Sequence, residues 1–400
     1  MSTKSVAPST LELLGPNGSI PLGYAQEGAK VYLIARERTA FWPVAVLRTG
    51  RVQLRFGGRL EEGSVQLIPR GSEWGPILSL FQQKYGMDAF RRWYSDPARI
   101  IRVELAGPQE DPSRIYGQWL ESEFDNVAEA YDQHILGNRM NRLLRDRSLA
   151  RLIPLFRGSR SLLEIGCGSG METLPLLREG HELLCLDISQ RMLDVVREKA
   201  RVEGLQERLR TAKLRARELP KLLETAGAEA FDGGFSTYGA LNCEPDLRPV
   251  PTALRSLLRP GSAFLAGVYN RWCLFELVGY GLSLQRSRVL SRWHRPILVG
   301  ASRFCVDVYA YTPADLVHLF SPGFHVESLE AVPIFLPPSD LSKYAERFSR
   351  HFDLLSRLDF YLGSHWPWRY FGDHFLMTLR WDADESGKGG RANLSARGKP

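Results

Sequence analysis

The chain has 400 residues, of which 44% are hydrophobic and 24% are charged, with a formal net charge of +7. This length predicts two domains, and this composition is typical of a soluble globular protein with a sizeable core. The moderate basic charge is interpreted as scattered surface lysines and arginines rather than as a nucleic-acid surface.

The cysteine and hydropathy patterns exclude several further classes. Five widely spaced cysteines without a C-x-x-C pair argue against a disulfide framework and a zinc site, so no metal is expected. No signal-peptide pattern opens the chain, and no apolar stretch reaches the ~18 residues of a membrane helix, so no transmembrane segment is expected. Together these features favour a cytoplasmic protein.

Residues 1–110 are predicted to form a small, mostly β domain. Short β-rich runs alternate with turns that include Gly50, Gly57-Gly58 and Gly63, and one helix-like segment interrupts them at 77–94. The β-rich runs lie at 31–35, 41–47, 52–56, 64–68 and 99–104. Strands at this spacing with one or two helices indicate a small barrel.

The segments VYLIAR, WPVAVLRTGRVQLRFGGR, FQQKYG and RIIRVEL occur in an order that resembles a known fold. This fold is the split β-barrel of the pyridoxamine-phosphate-oxidase-like superfamily, which includes deazaflavin-dependent nitroreductases. The resemblance implies that a flavin or deazaflavin phosphate is held by Arg48, Arg51 or Arg55. A row of solvent-facing arginines on an alternating strand explains the same pattern. Ala45 stands where the deazaflavin enzymes commonly carry asparagine.

Pro108, Asp111 and Pro112 indicate a linker, which places the domain boundary between residues 110 and 111. The following segment, 116–156, has helical periodicity. It contains His134, a candidate general base at neutral pH, although a surface histidine is the more common outcome.

Residues 162–189 read LLEIGCGSGMETLPLLREGHELLCLDIS and carry the strongest motif. An apolar run leads into Gly166, Gly168 and Gly170, an amphipathic segment follows, and a second apolar run ends at Asp187. This is the outline of a nucleotide-binding βαβ unit. The glycines allow close approach of the backbone to a ligand, and the terminal acid can accept hydrogen bonds from ribose hydroxyls.

The spacing of this motif separates two ligand classes. Met171 stands where the third glycine of a dinucleotide site belongs. Glu164, two residues before the first glycine, would repel a pyrophosphate but suits a ligand that carries positive charge. The pattern E-x-G-x-G-x-G followed by an acid resembles the first motif of the class I S-adenosylmethionine-dependent methyltransferases.

This resemblance implies a Rossmann-like α/β fold over residues 111–381, with a seven-stranded sheet whose last strand is antiparallel. It implies S-adenosylmethionine as the methyl donor. It also implies a set of donor-binding residues, namely Tyr131, Glu164, Gly166, Gly168, Gly170, Asp187, Ile188 and Ser236. Tyr131 would cap the donor and Ile188 would pack on adenine, although Tyr131 equally fits a core aromatic residue.

At other positions the sequence departs from the methyltransferase pattern, or the role of the residue is not determined by it. The acid that meets adenine in the family is replaced by Arg215 or Arg217, which leaves this role to backbone groups or to Glu218. Tyr238 borders the predicted methyl pocket and is a second catalytic candidate beside His134. The surrounding Ser-Thr-Tyr-Gly lacks the D/N-P-P-aromatic motif of enzymes that methylate DNA or adenine in RNA.

Two insertions rich in aromatic residues, at 271–301 and 341–371, flank the predicted pocket, and the first is expected to form helices of a lid. They favour methyl transfer to a small, fairly apolar acceptor at oxygen, carbon or nitrogen. RNA or protein methylation is an alternative that the basic charge supports, and a non-catalytic binder that serves the barrel is another. The polar, glycine-rich stretch 382–400 is expected to be a disordered tail.

Overall fold

The structure is a computed structural model that describes residues 10–15, 18–36, 41–56, 59–106, 111–225, 230–301, 304–342 and 350–382. The Gly57-Gly58 turn, linker residues 107–110 and tail residues 383–400 lie outside the described residues. Two compact units are present, Met1–Asn126 with Val299–Val306, and Val127–Leu298 with Asp307–Pro400. The domain boundary at residue 110 stays a prediction.

A closed barrel of six antiparallel strands forms the first unit, in the order β1-β2-β3-β6-β5-β4, and it closes where β1 pairs with β4. This confirms the predicted small barrel, whereas its likeness to the split-barrel superfamily stays a prediction. The elements are β1 Thr10–Gly15, β2 Gly18–Glu27, β3 Lys30–Arg36, α1 Phe41–Thr49, β4 Arg51–Phe56, β5 Arg59–Ile68, α2 Trp74–Trp93, β6 Pro97–Leu105 and α3 Pro112–Val127.

The strand predicted at 41–47 is wrong, because this segment forms helix α1. Its β-branched and aromatic residues suggested a strand, but Val44 and Leu47, three residues apart, are both buried as on one helix face. Pro43 lies in the first turn, where its missing N–H costs no helical hydrogen bond. Strands β1 and β2 were not predicted.

The arginines suggested for a flavin phosphate have other surroundings. Arg51 and Arg55 alternate with buried apolar residues along β4. Arg55 Nη1 lies 2.8 Å from Glu12 Oε2, and Arg51 Nη1 lies 3.6 Å from Glu62 Oε1, in exposed ion pairs. Arg48 is exposed in the last turn of α1 rather than on a strand. A flavin or deazaflavin in the barrel therefore stays a prediction.

A buried charge pair joins α3 to the barrel strands of the first unit. Arg99 donates to both carboxylate oxygens of Glu123, at 2.8 and 2.6 Å, and both residues are almost fully buried. The second oxygen also accepts the backbone N–H of Cys305 at 2.6 Å. Burial raises the pKa of Glu123, against the effect of Arg99. Since one carboxylate satisfies both partners, α3 and the segment around Cys305 depend on each other.

The second unit contains a seven-stranded sheet in the order β14-β15-β11-β10-β7-β8-β9. Strands β7 to β11 pair in parallel, and β15 is antiparallel to both of its neighbours, which confirms the predicted methyltransferase-like sheet. The elements are α4 Tyr131–Gly137, α5 Arg139–Leu155, β7 Ser161–Ile165, α6 Thr173–Arg178, β8 Glu182–Asp187, α7 Gln190–Val202, β9 Leu209–Lys213, α8 Pro220–Thr225, β10 Phe231–Ser236, α9 Pro249–Leu257, β11 Leu258–Tyr269, α10 Leu274–Leu282, α11 Arg286–Val289, β12 Ile297–Ala301, β13 Phe304–Val308, α12 Pro313–Phe320, β14 Phe324–Val332, α13 Phe352–Leu362 and β15 His374–Trp381.

The predicted helices of the first insertion are present as α10 and α11, but its last residues form β12, which pairs with β13. Of the second insertion, residues 343–349 lie outside the described residues, and α13 follows them. None of the described helices is long and apolar enough to cross a membrane.

The sheet topology determines where a ligand can bind. The carboxyl ends of parallel strands meet at one edge of an α/β sheet, where ligands of such folds bind. Since β15 is antiparallel to β11, its first residue lies at this same edge, and His374 pairs with Tyr269, the last residue of β11. We call this the carboxyl edge. It brings together the glycine motif after β7, Asp187 at the end of β8 and the beginning of β15.

Candidate active site

The loop after β7, residues 166–170, is called the glycine loop. Gly166, Gly168 and Gly170 have φ angles of +76°, +51° and +84°, a region that glycine adopts with little cost. A Cβ on Gly166 would lie 2.0 Å from Ala240 Cβ, and a Cβ on Gly170 would lie 2.3 Å from Val196 Cγ2. These two glycines are therefore required by close packing. At Gly168 the nearest atom to such a Cβ belongs to Tyr131, at 3.8 Å, which leaves room for a ligand at this position.

Asp187 connects the end of β8 to the glycine loop. Its Oδ2 accepts the backbone N–H of Gly168 at 2.8 Å, and its Oδ1 accepts the N–H of Ser189 at 2.9 Å. The Ser189 hydroxyl in turn accepts the N–H of Met192 and caps α7, as its position before the helix suggests. A carboxylate oxygen has two lone pairs and can accept more than one hydrogen bond, which is the property that a ribose-binding acid needs.

Glu164 lies in β7 and is 2% exposed. Its carboxylate accepts hydrogen bonds from Thr173 Oγ1 at 2.6 Å and from Cys185 Sγ at 3.3 Å. Burial raises the pKa of Glu164 to about 8, although the hydrogen bond from Thr173 acts in the opposite direction. In the ligand-free protein Glu164 is therefore mostly protonated at neutral pH. From the sequence, Glu164 is expected to be an ionised carboxylate. A cationic group of a bound ligand would restore this ionised form.

The structure brings Tyr131, at the start of α4, beside the glycine loop. Lys199 connects the two elements, because its Nζ donates to the carbonyl of Ser169 at 2.8 Å and forms a short ion pair with Asp132. Burial raises the pKa of the Tyr131 phenol. The aromatic ring is thus held over Gly168, the residue with space in front of it. Lys199 had no motif around it that could have predicted this role.

The remaining predicted donor residues also lie near this edge. Ser236 ends β10 and is 1% exposed, and its hydroxyl donates to the carbonyl of Ile165 at 2.8 Å. Ile188 follows Asp187 and is half-buried. Ser236 therefore supports the backbone of β7 from the neighbouring strand, and Ile188 keeps apolar surface available.

The two catalytic candidates from the sequence are poorly suited to accept a proton. His134 is exposed on α4. The Tyr238 hydroxyl donates to the carbonyl of Leu144 in a short hydrogen bond, and burial raises the pKa of Tyr238. The guanidinium of Arg145 lies 4.8 Å from the centre of the Tyr238 ring. Tyr238 thus fixes the loop after β10 against α5.

Two ion pairs near the site were not predicted from the sequence. Arg145 Nη1 lies 2.7 Å from both carboxylate oxygens of Glu172, and Glu172 Oε1 also accepts the hydroxyl of Ser148 at 3.1 Å. Arg215, which replaces the adenine-binding acid of the family, donates to Glu244 at 3.1 and 2.8 Å, and both side chains are buried. Glu244 therefore neutralises this unusual arginine. The pairs join residues 27 and 29 positions apart, beyond any helical or strand spacing.

On the other side of the carboxyl edge, the two insertions meet at Asn270. This residue follows β11, is fully buried, and its amide nitrogen lies 2.9, 2.9 and 3.0 Å from the carbonyls of Trp272, Tyr370 and Gly372. The carbonyl of Trp272 belongs to the first insertion, that of Tyr370 belongs to the end of the second, and Gly372 directly follows the second insertion. The Asn270 side chain therefore connects both insertions to the end of β11 through hydrogen bonds.

A buried arginine reinforces this junction. Arg292, 3% exposed, donates to Glu276 at 2.9 and 2.6 Å and to Asp373 Oδ1 at 2.6 Å. It also donates to the backbone carbonyls of Asn270 and Asp373, at 2.9 and 3.0 Å. The guanidinium lies 4.0 Å from the centre of the Tyr269 ring. The arginine therefore links α10, the end of β11 and the start of β15.

Comparison with known proteins identifies the class. Residues 162–261 match a family profile described as a methyltransferase domain. The tRNA 5-carboxymethoxyuridine methyltransferase of Escherichia coli K12 is 26% identical over 184 residues, which cover 42% of this chain and 67% of that protein. The ubiquinone/menaquinone biosynthesis C-methyltransferase of Brucella anthropi is 31% identical over 176 residues, which cover 40% of this chain and 64% of that protein.

Among solved structures, the CcbJ methyltransferase of Streptomyces caelestis aligns with a TM-score of 0.44 and 15% identity, over 66% of this chain and 99% of that chain. The fold and the glycine loop are those of class I S-adenosylmethionine-dependent methyltransferases. The chain is an S-adenosylmethionine-dependent methyltransferase.

Proposed function

We propose that this enzyme transfers a methyl group from S-adenosylmethionine to a small, fairly apolar acceptor at an oxygen, nitrogen or carbon atom. The observation that carries the proposal is the convergence of both aromatic-rich insertions on Asn270. In the sheet order, β10 is the only strand between β11, which precedes Asn270, and β7, which precedes the glycine loop. An acceptor covered by the insertions would thus lie beside a donor on the glycine loop.

On the donor side, Asp187 would accept the ribose hydroxyls, Ile188 would contact adenine and Tyr131 would cover the ligand. Glu164 would face its ammonium group, whose charge favours the ionised carboxylate. Gly166, Gly168, Gly170 and Ser236 would shape the backbone of the site. The sulfonium of the bound donor supplies an already activated methyl group, so these residues need only orient the reactants and exclude water.

RNA is the second candidate acceptor, because the Escherichia coli relative and a relative from Schizosaccharomyces pombe are both tRNA methyltransferases. The arginines around Asn270 weigh against it. Arg292 is buried in contacts with two carboxylates, and Arg271 Nη2 lies 3.3 Å from Asp315 Oδ2. Cations engaged in this way offer little to a phosphate backbone, which binds through unneutralised lysines and arginines.

Transfer of tritium from S-[methyl-³H]adenosylmethionine tests the proposal. The full-length protein is incubated with a panel of polyprenylphenols and aromatic amines and, separately, with bulk tRNA. We expect label in the organic extract of the small-molecule reactions, and much less label with the Asp187→Ala variant at a donor concentration that does not saturate it. Label in tRNA alone, with activity that falls steeply between 50 and 200 mM salt, would replace the proposal by RNA methylation.

A further inference from the structure

His374 lies at the carboxyl edge as the first residue of β15. Its imidazole stands between the rings of Tyr238 and Tyr269, with centroid distances of 5.5 and 5.2 Å and edge-to-face geometry at both. The residue is 8% exposed. Aromatic contacts on two sides thus fix the plane of the imidazole.

The loop that follows β10 contacts both His374 and the glycine loop. Tyr238, which contacts His374, belongs to the loop that follows β10. The same loop contains Ala240, which packs so closely on Gly166 that no Cβ fits between them. His374 therefore lies next to the donor side of the site, on the side from which the insertions approach.

Asp373 determines which imidazole nitrogen carries the proton. His374 Nδ1 lies 3.1 Å from Asp373 Oδ2, while Asp373 Oδ1 accepts Arg292 Nη2 at 2.6 Å. Burial opposes ionisation of Asp373, but His374 and Arg292 hold its pKa at about 2. An ionised carboxylate only accepts hydrogen bonds. This contact assigns the proton of neutral His374 to Nδ1 and leaves the lone pair on Nε2.

Nothing in the described part of the chain occupies that lone pair. His374 Nε2 has no hydrogen-bond partner among the described residues. It is also not one of the fully enclosed polar atoms that lack a partner there, so Nε2 keeps some accessible surface. An imidazole whose ring is oriented by a carboxylate at Nδ1, and whose Nε2 has no partner among the described residues, is the arrangement that a general base requires.

We propose that His374 is the catalytic base of the methyl transfer, and that Asp373 is a positioning residue that fixes its tautomer. The inference rests on the proposed function and narrows it to acceptors with a weakly acidic O–H or N–H group, such as a phenol. Nε2 takes this proton while the acceptor atom bonds to the methyl carbon. The carbon–sulfur bond breaks with its electron pair left on sulfur, and the proton then passes from His374 to water.

This assignment explains features that the other candidates leave unexplained. His134 is exposed on α4, and the Tyr238 hydroxyl is engaged by a backbone carbonyl. The network of Arg292, Glu276 and Asp373 keeps one carboxylate ionised beside His374 in a buried setting. A histidine with only a packing role would not need an Nε2 atom that lacks a hydrogen-bond partner among the described residues.

The first test measures the imidazole directly in full-length protein with ¹⁵N-labelled histidine. Two-bond ¹H–¹⁵N spectra of wild type and His374→Gln assign the signal of His374. We expect the Nδ1-protonated tautomer, a mixed tautomer in Asp373→Asn, and a shift of the His374 signal on addition of S-adenosylhomocysteine. Binding of S-adenosylhomocysteine by calorimetry without a shift of this signal would overturn the inference and leave the proposed function intact. Absence of binding would instead contradict the proposed function and, with it, the inference.

The second test uses two acceptors that differ in acidity. A phenol needs a base at pH 8, whereas its nitro-substituted analogue is already ionised in solution. We expect His374→Ala to lower kcat/KM at least about 100-fold for the phenol and less than about 10-fold for the analogue. S-adenosylhomocysteine affinity should stay within about threefold, and His134→Ala should behave as wild type. Equal losses for both acceptors would assign His374 a packing role and overturn the inference.

Discussion

The donor side and the acceptor side of the carboxyl edge are built from interactions of different range. On the donor side, the glycine loop is held to Asp187, which lies 19 residues from its partner Gly168. On the acceptor side, Asn270 contacts Gly372 across 102 residues, and Arg292 contacts Asp373 across 81. The glycine loop and Asp187 therefore form a local motif, whereas the acceptor side forms only once distant segments have folded together.

Because of this difference, mutations on the acceptor side should change the free energy of unfolding, and mutations on the donor side should change ligand affinity. Most acceptor-side residues are partners in a buried polar network, so their loss should mainly reduce stability. Donor-side residues are proposed to contact a ligand, so their loss should mainly reduce affinity.

The largest effect is expected for Arg292→Met. This change leaves Glu276 and Asp373 buried without their cation, and breaking such a pair costs roughly 3–5 kcal/mol. Urea denaturation of the full-length protein measures the free energy of unfolding. Arg248→Met removes an exposed arginine paired with Asp246 and serves as the control, with no measurable change expected. Similar unfolding curves for both variants would contradict a structural role for the Arg292 network.

On the donor side, Asp187→Ala should weaken S-adenosylmethionine binding by roughly 1.5–3 kcal/mol, the range for charge-assisted hydrogen bonds. Isothermal calorimetry on the folded variant measures this loss. Asp194→Ala, on the exposed face of α7, is the matched control and should bind like wild type. Unchanged affinity of Asp187→Ala would remove this residue from the donor site.

A smaller effect concerns pH and Glu164. In the folded protein the pKa of Glu164 is raised to about 8, whereas the pKa of a glutamate in the unfolded chain is near 4.5. Between these values the folded state binds more protons, so this residue makes the free energy of unfolding fall as pH rises. From pH 7 to 9 the loss is about 1.4 kcal/mol.

Denaturation of wild type and Glu164→Gln at both pH values isolates this contribution, because glutamine does not titrate. We expect a smaller decrease in the variant. Parallel decreases would show that Glu164 is ionised throughout this range. Binding of a cationic ligand beside Glu164 should also release a proton near pH 7, which calorimetry in buffers of different ionisation enthalpy detects.

The smallest effect is expected in the barrel. Arg55→Ala removes an exposed ion pair with Glu12, and such pairs contribute between 0 and about 1 kcal/mol. Thermal denaturation and S-adenosylhomocysteine calorimetry should both match wild type. A yellow chromophore that co-purifies with wild type and is lost from Arg55→Ala would instead support the flavin prediction.

The range of the interactions also explains which features the sequence could predict. Gly166, Gly168, Gly170 and Asp187 lie within one βαβ unit, where spacing alone relates a strand end to the next strand end. The predicted seven-stranded sheet is confirmed, including its antiparallel last strand. Tyr131 was identified through its local setting, and the structure brings it to the glycine loop.

The acceptor side gave no such local signal. Asp373 and His374 are adjacent in sequence, but only the antiparallel pairing of β15 with β11 brings them to the carboxyl edge. Asn270 and Arg292 acquire their partners through the insertions, whose conformation no periodicity determines. The same limit explains the error at 41–47, where packing on the barrel outweighs strand propensity.

Calorimetric titration of the full-length protein with S-adenosylhomocysteine, and separately with NAD, tests the central claim most directly. Met171 at the third-glycine position argues against a pyrophosphate in the glycine loop. We predict one S-adenosylhomocysteine site per chain, weakened in Asp187→Ala, and no heat of binding with NAD. Saturable binding of NAD that Asp187→Ala abolishes, without binding of S-adenosylhomocysteine, would contradict the assignment.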